Sequence, residues 1–177
     1  VDKTSLVLDG RPVSAIDSLL KPSMERVEAS HLAMMSGTSY LGSKIYGMGF
    51  TLTPEEREVL VAKNPRNGER IFPYLGGQEV NSSPTQSFDR YVINFGQLSL
   101  EQAGAWPDLL AIVREKVKPE RDKNNREQRR KYWWQFGETT PALFAALQPL
   151  QRCLVTTRVT KHLCISFQPN DRVFSEQ

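Results

Sequence analysis

RYVINFGQLSLEQAGAWPDLLAIVREKVKP, residues 90–119, places a strand pattern next to helix patterns. Arg90 to Phe95 is rich in β-branched and aromatic residues, which predicts a strand. Ser99-Leu-Glu-Gln102 is a capping box, in which the first and fourth side chains bond the backbone at a helix start, so it predicts a helix. A further helix with apolar residues on one face is predicted to run to Lys118 and to stop at Pro119. That face consists of Leu109, Leu110, Val113 and Val117.

Similar patterns continue on both sides of this stretch. Thr53-Pro-Glu-Glu56 is a second capping box, with proline at the first helical position, and predicts a helix to about Lys63. Thr140-Pro141 predicts a helix through Leu147. Helices and strands alternate irregularly, without the repeat of a doubly wound fold, which indicates an α+β domain with a mixed β-sheet and helical insertions. The other strand patterns are Lys44 to Leu52, Arg70 to Leu75, Arg152 to Val159 and Leu163 to Phe167.

The segment VREKVKPERDKNNREQRRKYWWQF, residues 113–136, concentrates positive charge and is called the basic segment below. It contains nine Lys or Arg and four Asp or Glu residues, a charge of +5, whereas the whole chain carries +3. Such a local excess is typical of a surface that binds a polyanion. A solvated helix of mixed charge is the alternative. Trp133 and Trp134 are candidates to stack on bases, but consecutive helix positions point about 100° apart, so at least one is expected in the core.

Length and composition indicate an ordinary globular chain. It has 177 residues, of which 39% are hydrophobic and 24% charged, enough to bury a core. The sequence contains no apolar run long enough to span a membrane and no signal-peptide pattern, so we expect a soluble, cytoplasmic protein without a membrane partner. Cys153 and Cys164 lie in apolar alternating runs, which predicts small buried thiols in strands.

The sequence holds no recognisable catalytic or metal-binding pattern. His31 and His162, the two histidines, have no carboxylate or cysteine at a spacing typical of metal ligands or a catalytic triad. Gly42-Ser-Lys-Ile-Tyr-Gly47-Met-Gly49 lacks the Gly-Lys-Ser/Thr ending of a phosphate-binding loop. Its glycines instead predict a turn and a backbone that approaches another surface closely. We therefore expect no catalytic residue, no metal and no cofactor in this chain.

Thr156-Thr-Arg-Val-Thr-Lys-His162 is predicted to continue a late strand. Alternation along that strand would place Arg158, Thr160 and His162 on one face and Val159 on the opposite one. If Val159 points into the core, Arg158 is held outward on a rigid element. Arginine and threonine side chains held on such an element can bond base edges in the major groove of DNA. An edge strand with its polar face in water is the alternative.

Several blocks of sequence, taken in their order and spacing, resemble a known family. They resemble the target-recognition domain of MmeI-type (type IIL) restriction-modification enzymes and related phage-defence methyltransferases. The match covers roughly residues 37–175 and depends on the ordered set, since no single block is specific. The blocks are Leu41-Gly-Ser43, Gly47-Met-Gly-Phe50-Thr-Leu-Thr53, Pro73-Tyr-Leu-Gly-Gly77, Tyr91-Val-Ile-Asn-Phe95, Glu101-Gln-Ala103, Val117-Lys-Pro-Glu-Arg121, Trp133-Trp134 and Arg158-Val-Thr-Lys161.

The resemblance implies a parent protein that is an S-adenosylmethionine-dependent DNA adenine-N6 methyltransferase of a restriction-modification or phage-defence system, sometimes fused to a nuclease. Residues 37–177 would be its DNA target-recognition domain, truncated at the C-terminus. Residues 1–36 would be a helical lead-in from an upstream methyltransferase domain. The methyl-donor and catalytic motifs are absent from this sequence, so S-adenosylmethionine and catalysis would belong to the parent alone, and this chain would not be an enzyme.

Double-stranded DNA and the upstream methyltransferase domain are therefore the expected partners. A protein-interaction adaptor that uses the basic face, or a small nucleic-acid enzyme with an unrecognised site, are the alternatives. Phosphate contacts are expected from Lys118, Arg121, Lys123, Arg126, Arg129, Arg130 and Lys131. Base-edge contacts are expected from Asn124, Asn125, Arg158, Thr160, Lys161 and His162, and a loop contact to the DNA backbone or minor groove from Lys44 and Tyr46.

Overall fold

The computed structural model describes residues 6–22 and 35–176 of the chain. The chain divides into two compact units, residues 1–36 and 37–177. Among the helices in the described ranges, none has the length and apolar character needed to cross a membrane.

The described part of the first unit contains a β-hairpin. Strands β1 (Leu6–Leu8) and β2 (Arg11–Val13) pair antiparallel. Their two-residue turn, Asp9-Gly10, has positive φ angles of 49° and 74°, and an Asp-Gly pair favours such a turn. The prediction of a helical lead-in is therefore wrong for residues 6–22. The part of that prediction at residues 23–34 lies outside the described residues.

The second unit mixes helices and strands, so the predicted α+β fold is confirmed. Its helices are α1 (Pro54–Lys63), α2 (Gly77–Ser82), α3 (Leu100–Ala103), α4 (Pro107–Lys116), α5 (Lys118–Asp122), α6 (Glu127–Lys131) and α7 (Pro141–Leu147), and 3-10 helices cover Met48–Phe50 and Pro65–Arg70. Its strands are β3 (Thr51–Leu52), β4 (Ile71–Leu75), β5 (Tyr91–Ile93), β6 (Arg152–Thr156), β7 (Ile165–Pro169) and β8 (Val173–Phe174).

Four strands of this unit form a mixed sheet in the order β3, β5, β4, β8 within the described residues. Strand β5 pairs antiparallel with β3 and β4, while β8 runs parallel to β4. Pairing continues past β8, because Ser43 bridges Ser175 and Lys44 bridges Glu138. Strands β6 and β7 form a separate antiparallel hairpin.

The predicted capping boxes are present. At the start of α1, the Thr53 hydroxyl accepts from the Glu56 N–H at 3.2 Å, and the Glu56 carboxylate accepts from the Thr53 N–H at 2.9 Å. Ser99 and Gln102 exchange equivalent bonds at the start of α3. The predicted stop at Pro119 takes a different form. Helix α4 ends before it, and Pro119 lies in the first turn of α5, where its missing N–H costs no helical hydrogen bond.

The main core joins α4 and the mixed sheet to the aromatic end of the basic segment. All four residues of the predicted α4 face are buried in it. Trp133 and Trp134 belong to the same core, each with 6% of its surface exposed, and Trp134 Nε1 donates to the Leu98 carbonyl oxygen at 2.9 Å. Neither indole is therefore available to stack on a base.

A second, smaller apolar cluster underlies the β6–β7 hairpin. Leu143 and Leu147 of α7 and Phe174 of β8 are buried in it, and the half-buried side chains of Cys153 and Cys164 pack against it. Both cysteines are free thiols, and Cys164 precedes β7 by one residue. Burial raises the pKa of the Cys153 thiol. Because the thiolate is the reactive form, this cysteine is a poor nucleophile at neutral pH.

The predicted strand from Arg152 to Val159 is shorter in the structure. Strand β6 ends at Thr156 and β7 begins at Ile165, so residues 157–164 form a connecting loop, the tip loop. The last paired residues of the hairpin are Thr156 and Ile165, and no partner strand maintains alternation beyond them. Val159 is 84% exposed. Val159 therefore does not enter the core, and the prediction that the polar residues around it share a strand face is wrong.

In the stretch from Lys44 to Leu52, predicted as a strand, only Thr51 and Leu52 form a strand, and Met48–Phe50 form a 3-10 helix. Tyr46 and Gly47 have positive φ angles of 46° and 102°, which interrupt the extended backbone. The close approach predicted for the glycines of Gly42 to Gly49 is confirmed, because a Cβ added to Gly42 would lie 2.5 Å from the carbonyl oxygen of Ser175. The missing side chain lets this stretch pass directly beside the end of β8.

We expect Gly42→Ala to lower the free energy of unfolding by about 1–3 kcal/mol, because the added methyl group must displace the backbone at Ser175. Chemical denaturation measures the change. Gly68→Ala is the matched control, since its Cβ would meet only Val61 at 3.9 Å. That variant should lose no stability and gain up to about 1 kcal/mol. Equal losses in the two variants would contradict the close-approach explanation.

Arg121 of α5 has its guanidinium group inside the protein. The residue is 2% exposed, and its Nη2 donates to the Ile45 carbonyl oxygen at 2.8 Å. The guanidinium carbon also lies 5.9 Å from the centroid of the Phe50 ring. Burial lowers the pKa of the Arg121 guanidinium, and the nearby charge of Arg129 lowers it further. The prediction that Arg121 contacts phosphate is therefore wrong, because this side chain ties α5 to the loop at Ile45.

We expect Arg121→Ala to lower the free energy of unfolding by about 3 kcal/mol, because it leaves a cavity beside Phe50 and removes the donor to Ile45. Arg126→Ala, an exposed change in the same segment, should stay within about 0.5 kcal/mol of the parent sequence. Denaturation midpoints of both variants provide the comparison. An unchanged midpoint for Arg121→Ala would contradict the buried, structural role assigned to Arg121.

Candidate nucleic-acid interface

The basic segment folds as the end of α4, the short helices α5 and α6, and the turn between them. Asn124 holds that turn: its Oδ1 accepts from the Arg126 N–H at 2.9 Å, and its carbonyl oxygen accepts from the Arg130 guanidinium. Lys118 Nζ lies 2.6 Å from the Asp122 carboxylate. Asn124, Arg130 and Lys118 are thus engaged within the segment. The exposed members of the predicted site in this segment include Lys123, Asn125, Arg126 and Lys131.

Helix α6 borders an open cleft of about 590 Å³, the arginine–glutamine cleft. Arg126, Arg129 and Tyr132 line it together with three glutamines, Gln97, Gln128 and Gln135. Guanidinium groups donate two parallel hydrogen bonds to phosphate oxygens, and glutamine amides both donate and accept. The lining therefore carries the donors that a nucleic-acid backbone requires.

Arg129 connects this cleft to the loop that carries Tyr46. Its guanidinium carbon lies 3.8 Å from the centroid of the Tyr46 ring, which is a cation–π contact. Gly137 packs on the same ring, since a Cβ added at Gly137 would overlap the Tyr46 ring atoms. Tyr46 therefore contacts both α6 and residue 137, although 38% of its surface remains exposed. Two predicted site residues, Tyr46 and Arg129, are in direct contact although they lie far apart in the sequence.

Tyr46 also lines a second cleft of about 580 Å³, the lysine–arginine cleft. Lys44, Arg90 and Arg158 border this cleft, so it brings the early loop and the tip loop together. We call the two clefts together the cationic face. Five accessible cations, against the carboxylates of Glu138 and Glu176, line this face. These cations are Lys44, Arg90, Arg126, Arg129 and Arg158.

The cations of the lysine–arginine cleft are held in place by carboxylates. Lys44 Nζ lies 2.7 Å from Glu176 Oε2 and 3.2 Å from Glu138 Oε1. Glu176 also pairs with the guanidinium of Arg158. An ion pair, and not a strand, therefore orients Arg158. Within the described ranges, no group of three His, Cys, Asp or Glu residues is arranged as a metal site would require.

The other predicted residues of the tip loop lie outside both clefts. Thr160, Lys161 and His162 are exposed. The Thr160 hydroxyl donates to the His162 carbonyl oxygen at 2.7 Å and accepts from the His162 N–H at 3.3 Å. These two bonds shape the loop and turn its remaining polar groups toward solvent. The structure therefore places these residues beside Arg158 without joining them to the cleft lining.

Two kinds of residue in the cationic face were missed by the sequence analysis. Arg90 stands apart from other cations in the sequence, so it does not contribute to any local concentration of charge. Its position at the start of a predicted strand is the signal that could have identified it. Its Nε donates to Glu79 Oε1 at 2.9 Å. The lining glutamines carry no charge, and no pattern in the sequence distinguishes them.

Comparison with known proteins provides a likeness in fold. No protein-family model matches the chain, and no curated protein matches it. The solved structure of the type IIL restriction-modification enzyme MmeI in complex with DNA is similar to this chain, with a TM-score of 0.57 and 18% sequence identity. The similarity covers 94% of this chain and 22% of that one, so the chain spans about a fifth of the length of the solved protein. At this identity the likeness shows a shared fold, and the chain has a fold related to part of MmeI.

Proposed function

We propose that this chain binds duplex DNA as the target-recognition domain of an S-adenosylmethionine-dependent adenine-N6 DNA methyltransferase in a restriction-modification or phage-defence system. The observation that carries the proposal is the contact between Arg129 and Tyr46, which joins the basic segment to the lysine–arginine cleft in one cationic face. The fold likeness to part of a DNA-bound restriction-modification enzyme supports the same proposal.

The arginine–glutamine cleft is assigned the main contacts to phosphate. Arg126 is exposed at the start of α6, and Lys123 and Lys131 are exposed near the two ends of that helix. Because these side chains are accessible, each can replace a counterion of the DNA backbone at little cost. Such contacts determine affinity and register and carry no sequence information.

The tip loop and the lysine–arginine cleft are assigned the contacts to bases. Arg158 is oriented by Glu176 through Nη1 and remains accessible, so it can present two of its other N–H donors to a guanine edge with little loss of side-chain freedom. Thr160, Lys161, His162 and Asn125 are exposed and complete this group of candidates.

If α6 binds phosphate, we expect the double variant Arg126→Ala/Arg129→Ala to bind every duplex more weakly and to flatten the slope of log K against log salt by about two units. The slope falls because the complex releases about one counterion fewer for each phosphate contact that is lost. Fluorescence anisotropy with a mixed-sequence duplex, measured over a range of salt concentrations, provides the slope.

The matched control for this experiment is Lys63→Ala/Arg66→Ala. It removes the same charge from exposed positions, at the end of α1 and the 3-10 helix after it, that line neither cleft. That variant should keep the slope of the parent chain. Equal flattening in both variants would mean that net charge alone attracts DNA. Failure of unrelated duplex DNA to compete would instead favour an adaptor that binds an acidic protein.

In this proposal the chain reads DNA and does no chemistry of its own. A methyltransferase domain elsewhere in the same polypeptide supplies the methyl donor and the pocket for the flipped adenine, because a base inside the duplex is inaccessible to catalytic groups. Residues 37–177 then form the recognition domain, and residues 1–36 connect it to the upstream domain.

We expect the chain to show neither binding of S-adenosylmethionine nor methyl transfer to DNA. The sequence lacks methyl-donor motifs, so no binding heat is expected in a calorimetric titration under conditions that saturate a DNA methyltransferase used as the positive control. Measurable binding of the methyl donor would contradict the proposal that another domain binds S-adenosylmethionine. Duplex binding would still be tested separately by the salt experiment.

A further inference from the structure

The tip loop exposes two aliphatic side chains in a part of the sequence that has cationic side chains and no acidic ones. Val159 and Leu163 are 84% and 81% exposed. From residue 139 to residue 170 the sequence contains no Asp or Glu, and its cationic side chains are Arg152, Arg158 and Lys161. Large exposed aliphatic groups that recur at one place indicate a contact surface.

The base of this loop is anchored to other parts of the protein, which holds the exposed tip in a defined position. Thr157 is buried, and its hydroxyl donates to Asn81 Oδ1 at 2.9 Å. The Asn81 amide in turn donates to the Val159 carbonyl oxygen at 3.2 Å. The ion pair of Arg158 with Glu176 provides a second anchor. Anchoring reduces the entropy that the loop would lose on binding a partner.

The position of the tip indicates what the aliphatic groups meet. Val159 lines the lysine–arginine cleft beside Arg158, so one exposed aliphatic group is continuous with the cationic face. A suitable partner therefore has negative groups that meet the cations of the cleft and, next to them, apolar surface that meets Val159. Duplex DNA has this combination, with phosphates around stacked bases. A second copy of the chain does not, because pairing two such loops would bring Arg158 and Lys161 against like charges.

We propose that Val159 and Leu163 form an apolar wedge that enters the duplex and partly unstacks one base step while the neighbouring cations hold the backbone. This inference rests on the proposed DNA-binding function and deepens it. Aliphatic side chains inserted between base pairs kink DNA, and the cost of unstacking is offset by the additional protein surface that the bent duplex contacts. Flexible pyrimidine–purine steps unstack most easily, so the wedge would favour them without bonding any base edge.

The experiment begins with a duplex selected by the chain from a random-sequence pool. 2-Aminopurine, a base whose fluorescence rises when it is unstacked, is then placed at successive positions in that duplex. The wild-type chain should raise the fluorescence at one step. Val159→Ser/Leu163→Ser should abolish most of that rise and weaken binding roughly tenfold, with the slope of log K against log salt unchanged because the phosphate contacts remain.

Leu154→Ser/Ile165→Ser is the matched control, because it removes two exposed aliphatic groups from the paired strands of the same hairpin. This control should keep the fluorescence rise. A wild-type chain that binds the selected duplex without any rise overturns the wedge and leaves DNA binding intact. A tip variant with wild-type fluorescence and affinity also overturns it. Recovery of no duplex from the pool overturns the proposed function and this inference together.

Discussion

The backbone pairing of Ser43 and Lys44 on both sides is the constraint on which the cationic face depends. The Ser43 N–H donates to the Phe174 carbonyl oxygen at 2.8 Å, and the Ser43 carbonyl oxygen accepts from the Glu176 N–H at 3.2 Å. Lys44 exchanges two bonds with Glu138, at 3.2 and 3.1 Å. These residues thus act as a short additional strand between the end of β8 and residue 138. An extended segment bonded on both edges cannot shift without losing several hydrogen bonds together.

The residues that follow this pairing have little freedom left. The Ile45 carbonyl oxygen accepts a hydrogen bond from the buried guanidinium of Arg121, and the Tyr46 ring contacts Arg129 and Gly137. These few contacts join the loop at Ile45 and Tyr46 to the basic segment, so that the two form one surface. The orientation of Arg158 depends on the same constraint, because the Glu176 that orients it is paired through its backbone with residue 43.

Cations of similar appearance in the sequence have four different environments in the structure. Arg121 is buried, Arg129 is stacked on an aromatic ring, Arg158 is held by a carboxylate, and Arg126 is exposed to solvent. Each cation that contacts a phosphate contributes to counterion release, and a cation already fixed by its neighbours also contributes a defined geometry. The division is compatible with the proposed function, in which α6 contacts phosphates and Arg158, oriented by Glu176, contacts bases.

The sequence by itself determined the features that arise from neighbouring residues. The capping boxes at Thr53 and Ser99, the buried face of α4, the α+β class, the close approach at Gly42 and the concentration of charge could all be predicted, because capping, periodicity and steric bulk act over a few residues. Only the tertiary structure decided that Arg121 is buried, that the strand before Arg158 ends early and that Arg90 joins the face. Burial and ion pairing depend on partners such as Ile45 and Glu176 that come from distant segments, and no local pattern records which distant segments meet.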